Sequence, residues 1–197
     1  MQFDEKTEGL IIAAGYSSRA GGFKPAFELR GKPLILHSIE SMRPFCERIV
    51  VVGGYKFDRL RELVKEEEVV LVRNDRYRKG MFSSVQRGVR EIHGDRFFFL
   101  PGDIPLVSGG VFRRMLACDA RIVIPSCGGR KGHPVLMSSG AITHITGTPE
   151  DSNLRAVIER VGYRTVQVED ENIFRDVDTP DDYIRLKQDS ELGDSES

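Results

Sequence analysis

Hydrophobic residues along the chain follow two alternating patterns. Short apolar runs rich in β-branched and aromatic residues predict strands at 10–13, 48–54, 69–74, 96–103, 121–126, 133–137 and 163–169. Apolar residues at helical spacing predict helices at 32–42, 56–68, 81–92, 111–118, 153–162 and 179–188. Pro33 and Pro180 are typical of a first helical turn, and the strand at 133–137 could run antiparallel to its neighbours.

This alternation predicts an α/β protein. Strands joined through helices form right-handed crossovers, which give a mainly parallel sheet covered by helices on both faces, a Rossmann-like three-layer α/β/α sandwich. We expect one domain over residues 1–186, followed by a polar tail, KQDSELGDSES (187–197), without stable structure. In such folds ligands bind beyond the carboxyl ends of the strands, so the residues at those ends carry the functional prediction.

Composition and charge narrow the classes of partner. The 197 residues carry a formal net charge of -1, which gives no electrostatic attraction to nucleic acid or to an anionic membrane. The three cysteines show no disulfide or zinc spacing, and the first residues lack the pattern of a secretory signal. We therefore expect a cytoplasmic protein that binds small molecules.

The loop after the first strand reads AAGYSSRAGGFKP (13–25) and fits neither the P-loop nor the dinucleotide-binding pattern. Its glycines Gly15, Gly21 and Gly22 permit a backbone that turns several N–H groups inward, while Arg19 and Lys24 add positive charge. The loop is therefore a candidate phosphate cradle. An ordinary turn between strand and helix remains the alternative.

Two carboxylate segments follow other strands. Asp103 comes at the end of the apolar run FFFL, framed by glycine and prolines, and suits a Mg²⁺ ligand because this ion binds through one or two carboxylates plus substrate phosphates. Asp176 and Asp178 are two apart in an extended segment and so face the same way, and one of them could complete the metal site. Capping of the following helix by Asp178 or Thr179 is the alternative role.

Two further loops contain candidate binding residues. In NDRYRKGMFSSVQRG (74–88), Asn74 could hydrogen-bond a base or ribose, and Gly80, Ser83 and Ser84 lie near a helix N-terminus that favours anions. The alternative is a capped helix with its basic residues in water. In GGRKGHPVLM (128–137), His133 lacks partners at metal spacing, which favours a structural or substrate-contacting histidine over a metal ligand.

Taken in order, these segments resemble the small nucleotidyltransferases that build molybdenum cofactor dinucleotides. The opening IAAGYSSRAGGFK is similar to that family's signature, and NDRYRKGMFSSVQRG, LPGDIPLV, GRKGHPVLM and DVDTPDDY follow in the family's order over residues 9–186. The AAG, GHPVL and DVDTP segments look more like the cytidylyltransferase branch than the guanylyltransferase branch. The resemblance implies the nucleotide-diphospho-sugar transferase type of fold.

The resemblance also implies a reaction and its residues. A nucleoside monophosphate, with CTP as the favoured donor, would pass to a phosphorylated acceptor such as molybdopterin, with Mg²⁺ held by Asp103 and Asp178. Lys24, Arg19 and Asp103 would be catalytic. The nucleotide would be bound by Ala13, Ala14, Gly15, Ser17, Arg19, Gly21, Gly22, Lys24, Asn74, Gly80, Ser84 and Asp103. A molybdoenzyme or its maturation chaperone would be the protein partner.

Two departures from the family pattern bear on these expectations. Ala20 stands where the family has methionine, and EDSNLR (150–155) replaces the glycines of a segment thought to face the acceptor. The acceptor could therefore be a sugar phosphate or another phosphorylated metabolite. A cofactor-binding oxidoreductase or a non-catalytic cofactor chaperone on the same scaffold are the alternatives from other classes.

Overall fold

Strands and helices alternate along the chain as the hydrophobic pattern predicts, in a computed structural model that describes residues 5–16 and 20–194. The strands are β1 (Thr7–Ala13), β2 (Glu28–Leu29), β3 (Lys32–Pro33), β4 (Arg48–Gly53), β5 (Val70–Arg73), β6 (Arg96–Pro101), β7 (Ile122–Cys127), β8 (Arg130–Lys131), β9 (Val135–Ser138) and β10 (Arg164–Gln167). The α-helices are α1 (Leu34–Met42), α2 (Phe57–Leu63), α3 (Met81–Gly88), α4 (Gly109–Leu116), α5 (Ala141–Thr146), α6 (Leu154–Val161) and α7 (Pro180–Asp194).

Most of the strands form one mainly parallel sheet. Its spatial order is β10, β7, β9, β6, β1, β4, β5, with the short β8 paired to β7. The pairs β1 with β4, β1 with β6, β4 with β5 and β10 with β7 are parallel. β9 runs antiparallel between β6 and β7, so the antiparallel option for that segment is confirmed.

Helices cover both faces of the sheet because side chains alternate along each central strand. Along β1, Ile11 and Ala13 belong to an apolar cluster that includes residues of α1, α2 and α4. The intervening Leu10 and Ile12 belong to a second cluster with residues of α3, α5 and α6. This arrangement is the predicted three-layer α/β/α sandwich.

The first two helices differ in extent from the sequence prediction. The helix expected from residue 32 begins at Leu34, because Lys32–Pro33 instead pairs as β3 with β2 and Pro33 becomes the residue before the first turn. The helix expected over 56–68 is Phe57–Leu63. Three consecutive glutamates follow at 66–68, and negative charge at a helix C-terminus is unfavourable for the helix dipole.

The last helix extends past the expected domain boundary at residue 186. α7 continues to Asp194, so residues 187–194 of the polar tail are helical and the prediction of an unstructured segment was wrong for them. Contacts with the body of the protein explain this: Arg30 donates to the carbonyl of Ser190, and Arg175 pairs with Asp189. Among the described residues, no helix has both the length and the apolar character needed to cross a membrane.

The topology creates a crevice beside β1. The chain adds β4 and then β5 on one side of β1, after which β6 is placed on the other side. Ligands in open α/β sheets bind at such a reversal of strand order, outside the carboxyl ends of the strands. Here those ends are Ala13 in β1 and Pro101 in β6, each followed by a loop predicted to be functional.

Candidate active site

A cavity of about 360 Å³ opens at the carboxyl ends of β1 and β6. Its described lining residues are Ile12, Ala13, Ala14, Gly15, Tyr16, Lys24, Pro25, Tyr77, Arg78, Gly80, Met81, Ser84, Pro101, Gly102, Asp103 and Asp178. Segments far apart in sequence thus meet here, and most of the residues predicted to be functional are among them.

The first loop contributes both main chain and side chain to the cavity. Ala13, Ala14 and Gly15 line it, and the carbonyl of Ala14 accepts a hydrogen bond from the N–H of Tyr55, which fixes the start of the loop beside β4. Ser17 and Arg19, two predicted ligands, lie outside the described residues.

Gly21 and Gly22 are not among the described residues that line the cavity. Gly22 lies against the ring of Phe27, where a Cβ would be 2.8 Å from the ring. These glycines let the chain turn toward the short 3₁₀ segment Lys24–Ala26, and so they position Lys24.

Lys24 is the centre of the ionic contacts in the cavity. Its Nζ lies 2.5 Å from Oδ2 of Asp103 and 3.0 Å from Oδ1 of Asp178. Burial opposes the charge, but the two carboxylates outweigh it and raise the pKa of Lys24 above its ordinary value. Lys24 is therefore a charged ammonium at neutral pH. We refer to Lys24, Asp103 and Asp178 as the charged wall.

Asp103 is held in place by the main chain around it. The N–H of Gly102 donates to the carbonyl of Ile12 at 2.9 Å, which fastens the end of β6 to β1. A Cβ on Gly102 would lie 3.2 Å from that same carbonyl oxygen and 3.3 Å from Ile35, so glycine permits the close approach. The carboxylate that follows is thereby directed into the crevice.

Asp178 is held by a contact with Asp103 and by the helix that follows. The N–H of Val177 donates to the carbonyl of Asp103 at 3.1 Å. Thr179 and Asp182 then form a reciprocal cap at the start of α7, with the N–H of Thr179 donating to Oδ2 of Asp182 at 2.8 Å and the N–H of Asp182 donating to the hydroxyl of Thr179. Thr179 thus takes the capping role, and the carboxylate of Asp178 faces Lys24.

Asp176 lies on a different surface. It lines a second cavity of about 350 Å³ together with Arg175, Asp182 and Arg185. Asp178 lines the first cavity and Asp176 the second, yet Asp176 remains within electrostatic reach of Asp178. Their predicted common orientation stays a prediction. Burial and the negative charge of Asp178 raise the pKa of Asp176.

Asn74 organises the loop between β5 and α3. It is buried, and its side-chain nitrogen donates to the hydroxyls of Ser83 at 3.0 Å and Ser84 at 2.9 Å, while its side-chain oxygen accepts from the N–H of Arg76. These bonds occupy the amide of Asn74, which does not line the cavity, whereas Ser84 does. The predicted contact of Asn74 with a base or ribose stays a prediction.

Gly80 brings the N-terminus of α3 to the cavity. It precedes Met81 with a φ of 96°, a conformation that glycine adopts at little cost. Glycine has no side chain that could cap the helix, and the hydroxyl of Ser83 donates to the carbonyl of Gly80 at 2.8 Å. The helix N-terminus therefore borders the cavity without a cap from Gly80, and its predicted binding of an oxygen-rich ligand stays a prediction.

Three tyrosines without a predicted role cluster beside the cavity, which Tyr16 and Tyr77 line while Tyr55 packs against Tyr16. The ring of Tyr16 lies 5.3 Å from that of Tyr55 and 5.3 Å from that of Tyr77, and Tyr16 is 46% exposed. We refer to these tyrosines as the aromatic rim. Tyr16 and Tyr77 belong to loops already identified as functional, so a flat side chain inside each loop was the available signal.

His133 lies beneath the charged wall in a largely buried position. Its ring contacts Phe99 edge-on, and the ring Nδ1 has no hydrogen-bond partner within the described part of the chain. The main-chain N–H of His133 donates to the carbonyl of Ile173. Burial lowers the pKa of His133 to about 4, although the charge of Asp103 acts in the opposite direction. A neutral structural histidine fits this environment.

The segment with the altered glycines faces the β5–α3 loop. Glu150 pairs with Arg76, and Asn153 caps α6 by accepting from the N–H of Ala156. Asp151 and Arg155, which match the family pattern, are exposed. This segment therefore borders the loop that leads to Tyr77.

The charged wall also fits the predicted divalent cation. Within the described residues, no group of three or more histidine, cysteine or acidic side chains could enclose a metal ion. Two carboxylates do converge on one cation, the ammonium of Lys24. Because Mg²⁺ in nucleotide sites needs one or two protein carboxylates and takes its other ligands from phosphates and water, this pair is sufficient.

Comparison with known proteins identifies relatives over nearly the whole chain. The sequence profile of the MobA-like NTP transferase domain matches residues 9–167. The molybdenum cofactor cytidylyltransferase of Escherichia coli K12 is 29% identical over 181 residues, which is 91% of this chain and 94% of that protein. The molybdenum cofactor guanylyltransferase of Shewanella loihica is 27% identical over 140 residues, covering 68% of this chain and 70% of that protein.

A solved structure shares the fold. A nucleotidyl transferase from Methanothermobacter superposes with a TM-score of 0.85 at 21% identity, and the match covers 95% of this chain and 99% of that one. At this level of identity the likeness concerns the fold alone. It confirms the predicted sandwich of the nucleotide-diphospho-sugar transferase type.

Proposed function

Because the chain belongs to the MobA-like NTP transferase domain family and is a nucleotidyltransferase, we propose that it transfers CMP from CTP to a phosphorylated acceptor and releases pyrophosphate. The favoured acceptor is molybdopterin. The choice of CTP as donor and molybdopterin as acceptor is supported by the molybdenum cofactor cytidylyltransferase of Escherichia coli, which matches 91% of the chain. We place the reaction in the cytoplasm, with a molybdoenzyme or its maturation chaperone as the recipient of the product.

The observation that carries this proposal is the charged wall. A lysine ammonium lies between two carboxylates at 2.5 and 3.0 Å, in a cavity beyond the carboxyl ends of the parallel strands. This arrangement offers a positive charge to phosphate oxygens and two carboxylates to a divalent cation. A nucleoside triphosphate with its cation requires both.

The proposed chemistry is an in-line displacement at phosphorus. An oxygen of the acceptor's phosphate attacks the α-phosphorus of the nucleotide, a new P–O bond forms, and the bond to the β-phosphate breaks as pyrophosphate leaves with the electron pair. A phosphate monoester has a second pKa near ~6, so the attacking oxygen is already ionised at neutral pH. A general base is then unnecessary, and positioning and charge neutralisation supply the catalysis.

Each residue has a role in that chemistry. The main-chain N–H groups from Ala14 to Gly22, together with Arg19, hold the triphosphate. Lys24 leaves its contacts with the carboxylates and neutralises the charge that builds up on the departing pyrophosphate. Ser84 and the N-terminus of α3 bind oxygen atoms of the nucleotide.

Asp103 and Asp178 are the residues that hold Mg²⁺ in this proposal. Held by these residues, the ion would supply Lewis-acid charge that stabilises the negative phosphates. The main-chain bond from Val177 to Asp103 keeps the two carboxylates at a fixed spacing, so the pair is preorganised for one cation.

Ligand binding measured by thermal unfolding tests the proposal directly. CTP with Mg²⁺ should raise the melting temperature, and CTP without the metal should raise it much less, since the triphosphate then meets Asp103 and Asp178 uncompensated. GTP and UTP measured in parallel test the choice of base. A chain that responds to none of these nucleotides, or responds equally without Mg²⁺, would contradict the proposal.

Product formation tests the acceptor separately. Pyrophosphate release from CTP should depend on added molybdopterin and should be slow with sugar phosphates and polyol phosphates. Release that follows a sugar phosphate instead would keep the reaction class and replace the acceptor.

A further inference from the structure

The aromatic rim shares the cavity with the charged wall but makes no part of its ionic contacts. Tyr16 follows Gly15 in the first loop, and Tyr77 follows Arg76 in the loop that Asn74 organises. Both line the cavity that Lys24, Asp103 and Asp178 line. A ligand that fills this cavity therefore meets both the charged wall and the rings of Tyr16 and Tyr77, beside which Arg78 lies.

Tyr16 is the exposed member of the aromatic rim. Its ring is inclined by 41° to that of Tyr55 and by 56° to that of Tyr77, with both centroid distances at 5.3 Å. The two neighbouring tyrosines are partly buried and support it, while Tyr16 itself stays 46% exposed. Offset and tilted rings at this spacing form a stable aromatic cluster.

A second exposed apolar side chain borders the same space. Met81, the first residue of α3, is 59% exposed and lines the cavity with Tyr16. Methionine is flexible and polarisable, so it can adjust to the edge of a ring. Tyr16, Met81 and Ile184 are the large hydrophobic residues that are exposed in the described part of the chain, and two of the three face this cavity.

We propose that Tyr16 is the stacking surface for the nucleobase of the bound nucleotide, with Tyr55 and Tyr77 behind it and Met81 at the edge of the base. The inference rests on the proposed function, because the charged wall at the other end of the cavity defines where the triphosphate lies. It deepens that function by assigning a source of affinity for the base.

The proposal has a consequence for selectivity. Stacking on an aromatic side chain tolerates any base, because every base has a π-face. Tyr16 therefore contributes affinity to CTP and UTP alike. The choice between these nucleotides must come from hydrogen-bonding groups at the edge of the base.

Direct binding to two ligands tests this assignment. The dissociation constants of CTP and of tripolyphosphate, which has no base, are measured with Mg²⁺ for the wild type, Tyr16→Ala and Tyr16→Phe. Loss of a stacked ring should weaken CTP binding about tenfold in Tyr16→Ala and leave tripolyphosphate binding unchanged. Tyr16→Phe keeps the ring and should restore most of the affinity for CTP. Ile184→Ala, which removes an exposed apolar side chain from α7, is the control.

The outcomes separate the two proposals. If Tyr16→Ala weakens CTP and tripolyphosphate equally, Tyr16 shapes the phosphate loop and the stacking assignment is wrong. If CTP binding to Tyr16→Ala equals that of the wild type, stacking is also excluded. If the wild type binds tripolyphosphate and no nucleotide, the proposed function fails independently of Tyr16.

A spectroscopic signal adds evidence that a merely structural role would not produce. The chain has five tyrosines and no tryptophan, so its near-ultraviolet emission comes from tyrosine. A base stacked on Tyr16 should quench part of that emission when CTP binds, and tripolyphosphate should not. Quenching by CTP that persists unchanged in Tyr16→Phe would overturn the assignment.

Steady-state kinetics distinguish the base from the acceptor. An unaltered KM for the acceptor in Tyr16→Ala would support stacking of the nucleobase on Tyr16. A raised KM for the acceptor alone would assign the aromatic rim to a ring of the acceptor instead.

Discussion

The charged wall and the aromatic rim line one cavity, and they are built in different ways. The charged wall is fixed by main-chain bonds at the ends of strands, such as the bond from Gly102 to Ile12, and its side chains are half-buried. The aromatic rim extends from three loops and leaves Tyr16 exposed. The difference separates two tasks: the wall needs a fixed geometry for chemistry at phosphorus, whereas a stacking surface works with approximate geometry.

Charge at the wall is expected to have the largest effect on activity. Asp103→Asn keeps the size of the side chain but removes the charge that faces Lys24 and the cation, so we expect the rate of transfer to fall about a thousandfold or more. Steady-state kinetics measure this loss, and thermal unfolding should show a folded protein. Asp181→Asn, an exposed acid in the first turn of α7, is the matched control. A folded Asp103→Asn variant with near-normal turnover would refute the metal assignment.

Removal of the ammonium should have the next largest effect. We expect Lys24→Ala to lower kcat several hundredfold, because the charge on the leaving pyrophosphate is then unopposed. Asp103 and Asp178 would face each other without a cation, so Mg²⁺ alone should raise the melting temperature of this variant more than that of the wild type. Lys32→Ala removes a lysine that pairs with Glu40 at the surface, and it should change neither property. If Lys24→Ala changed only the stability of the fold, the proposed role of Lys24 at the phosphates would be wrong.

His133, which lies near Asp103 of the charged wall, should make the stability of the protein depend on pH. His133 has its pKa lowered to about 4 by burial, against about 6.5 in an unfolded chain, so the unfolded state binds the proton more readily. The contribution of neutral His133 to the free energy of unfolding is fully present above pH 6.5 and is lost as the pH falls toward 4. Its full size is on the order of 3 kcal/mol. The free energy of unfolding, measured with denaturant from pH 7 to pH 4, should fall less steeply in His133→Asn than in the wild type. The same dependence on pH in both proteins would contradict the prediction.

The smallest of these effects is expected at Asn74, which holds the loop that carries Tyr77 of the aromatic rim. Asn74→Ala removes the amide that bonds Ser83, Ser84 and the N–H of Arg76, so we expect a loss of about 2 kcal/mol in unfolding free energy. Because Tyr77 follows directly, KM for CTP should rise severalfold with kcat less affected. Asn153→Ala, which removes the cap of α6, should cost about 1 kcal/mol and leave KM unchanged. A selective fall in kcat would instead assign Asn74 to the chemistry.

The sequence predicted the charged wall better than the aromatic rim for a physical reason. Strand ends are local features: FFFL followed by PGD identifies where β6 ends and places Asp103 there. Parallel strands bring their carboxyl ends to one edge of the sheet, so Asp103 and the first loop had to meet. The orientation of Tyr16 depends on packing against Tyr55 and Tyr77, which no short-range pattern encodes.

Two further features could not be derived from the sequence, for similar reasons. Asn74 is a polar residue at a strand end, and its identity alone cannot distinguish a ligand contact from a bond to Ser83 and Ser84. Residues 187–194 have the composition of a tail, yet long-range contacts from Arg30 and Arg175 stabilise them as helix. In both cases tertiary contacts outweighed the local signal.

The bond between Lys24 and Asp178 also bears on the order in which the enzyme matures. Its two residues are 154 positions apart in the chain. A ribosome makes the first loop early, and the sheet can pair through β10 while Asp178 is still inside the exit tunnel. The catalytic contacts therefore close after the rest of the domain has folded, when α7 emerges and docks. A nascent chain that stops before residue 178 would lack both the bond to Lys24 and the packing of Leu186 against Leu29 and Leu34. We therefore expect synthesis itself to delay the onset of activity until the chain is nearly finished.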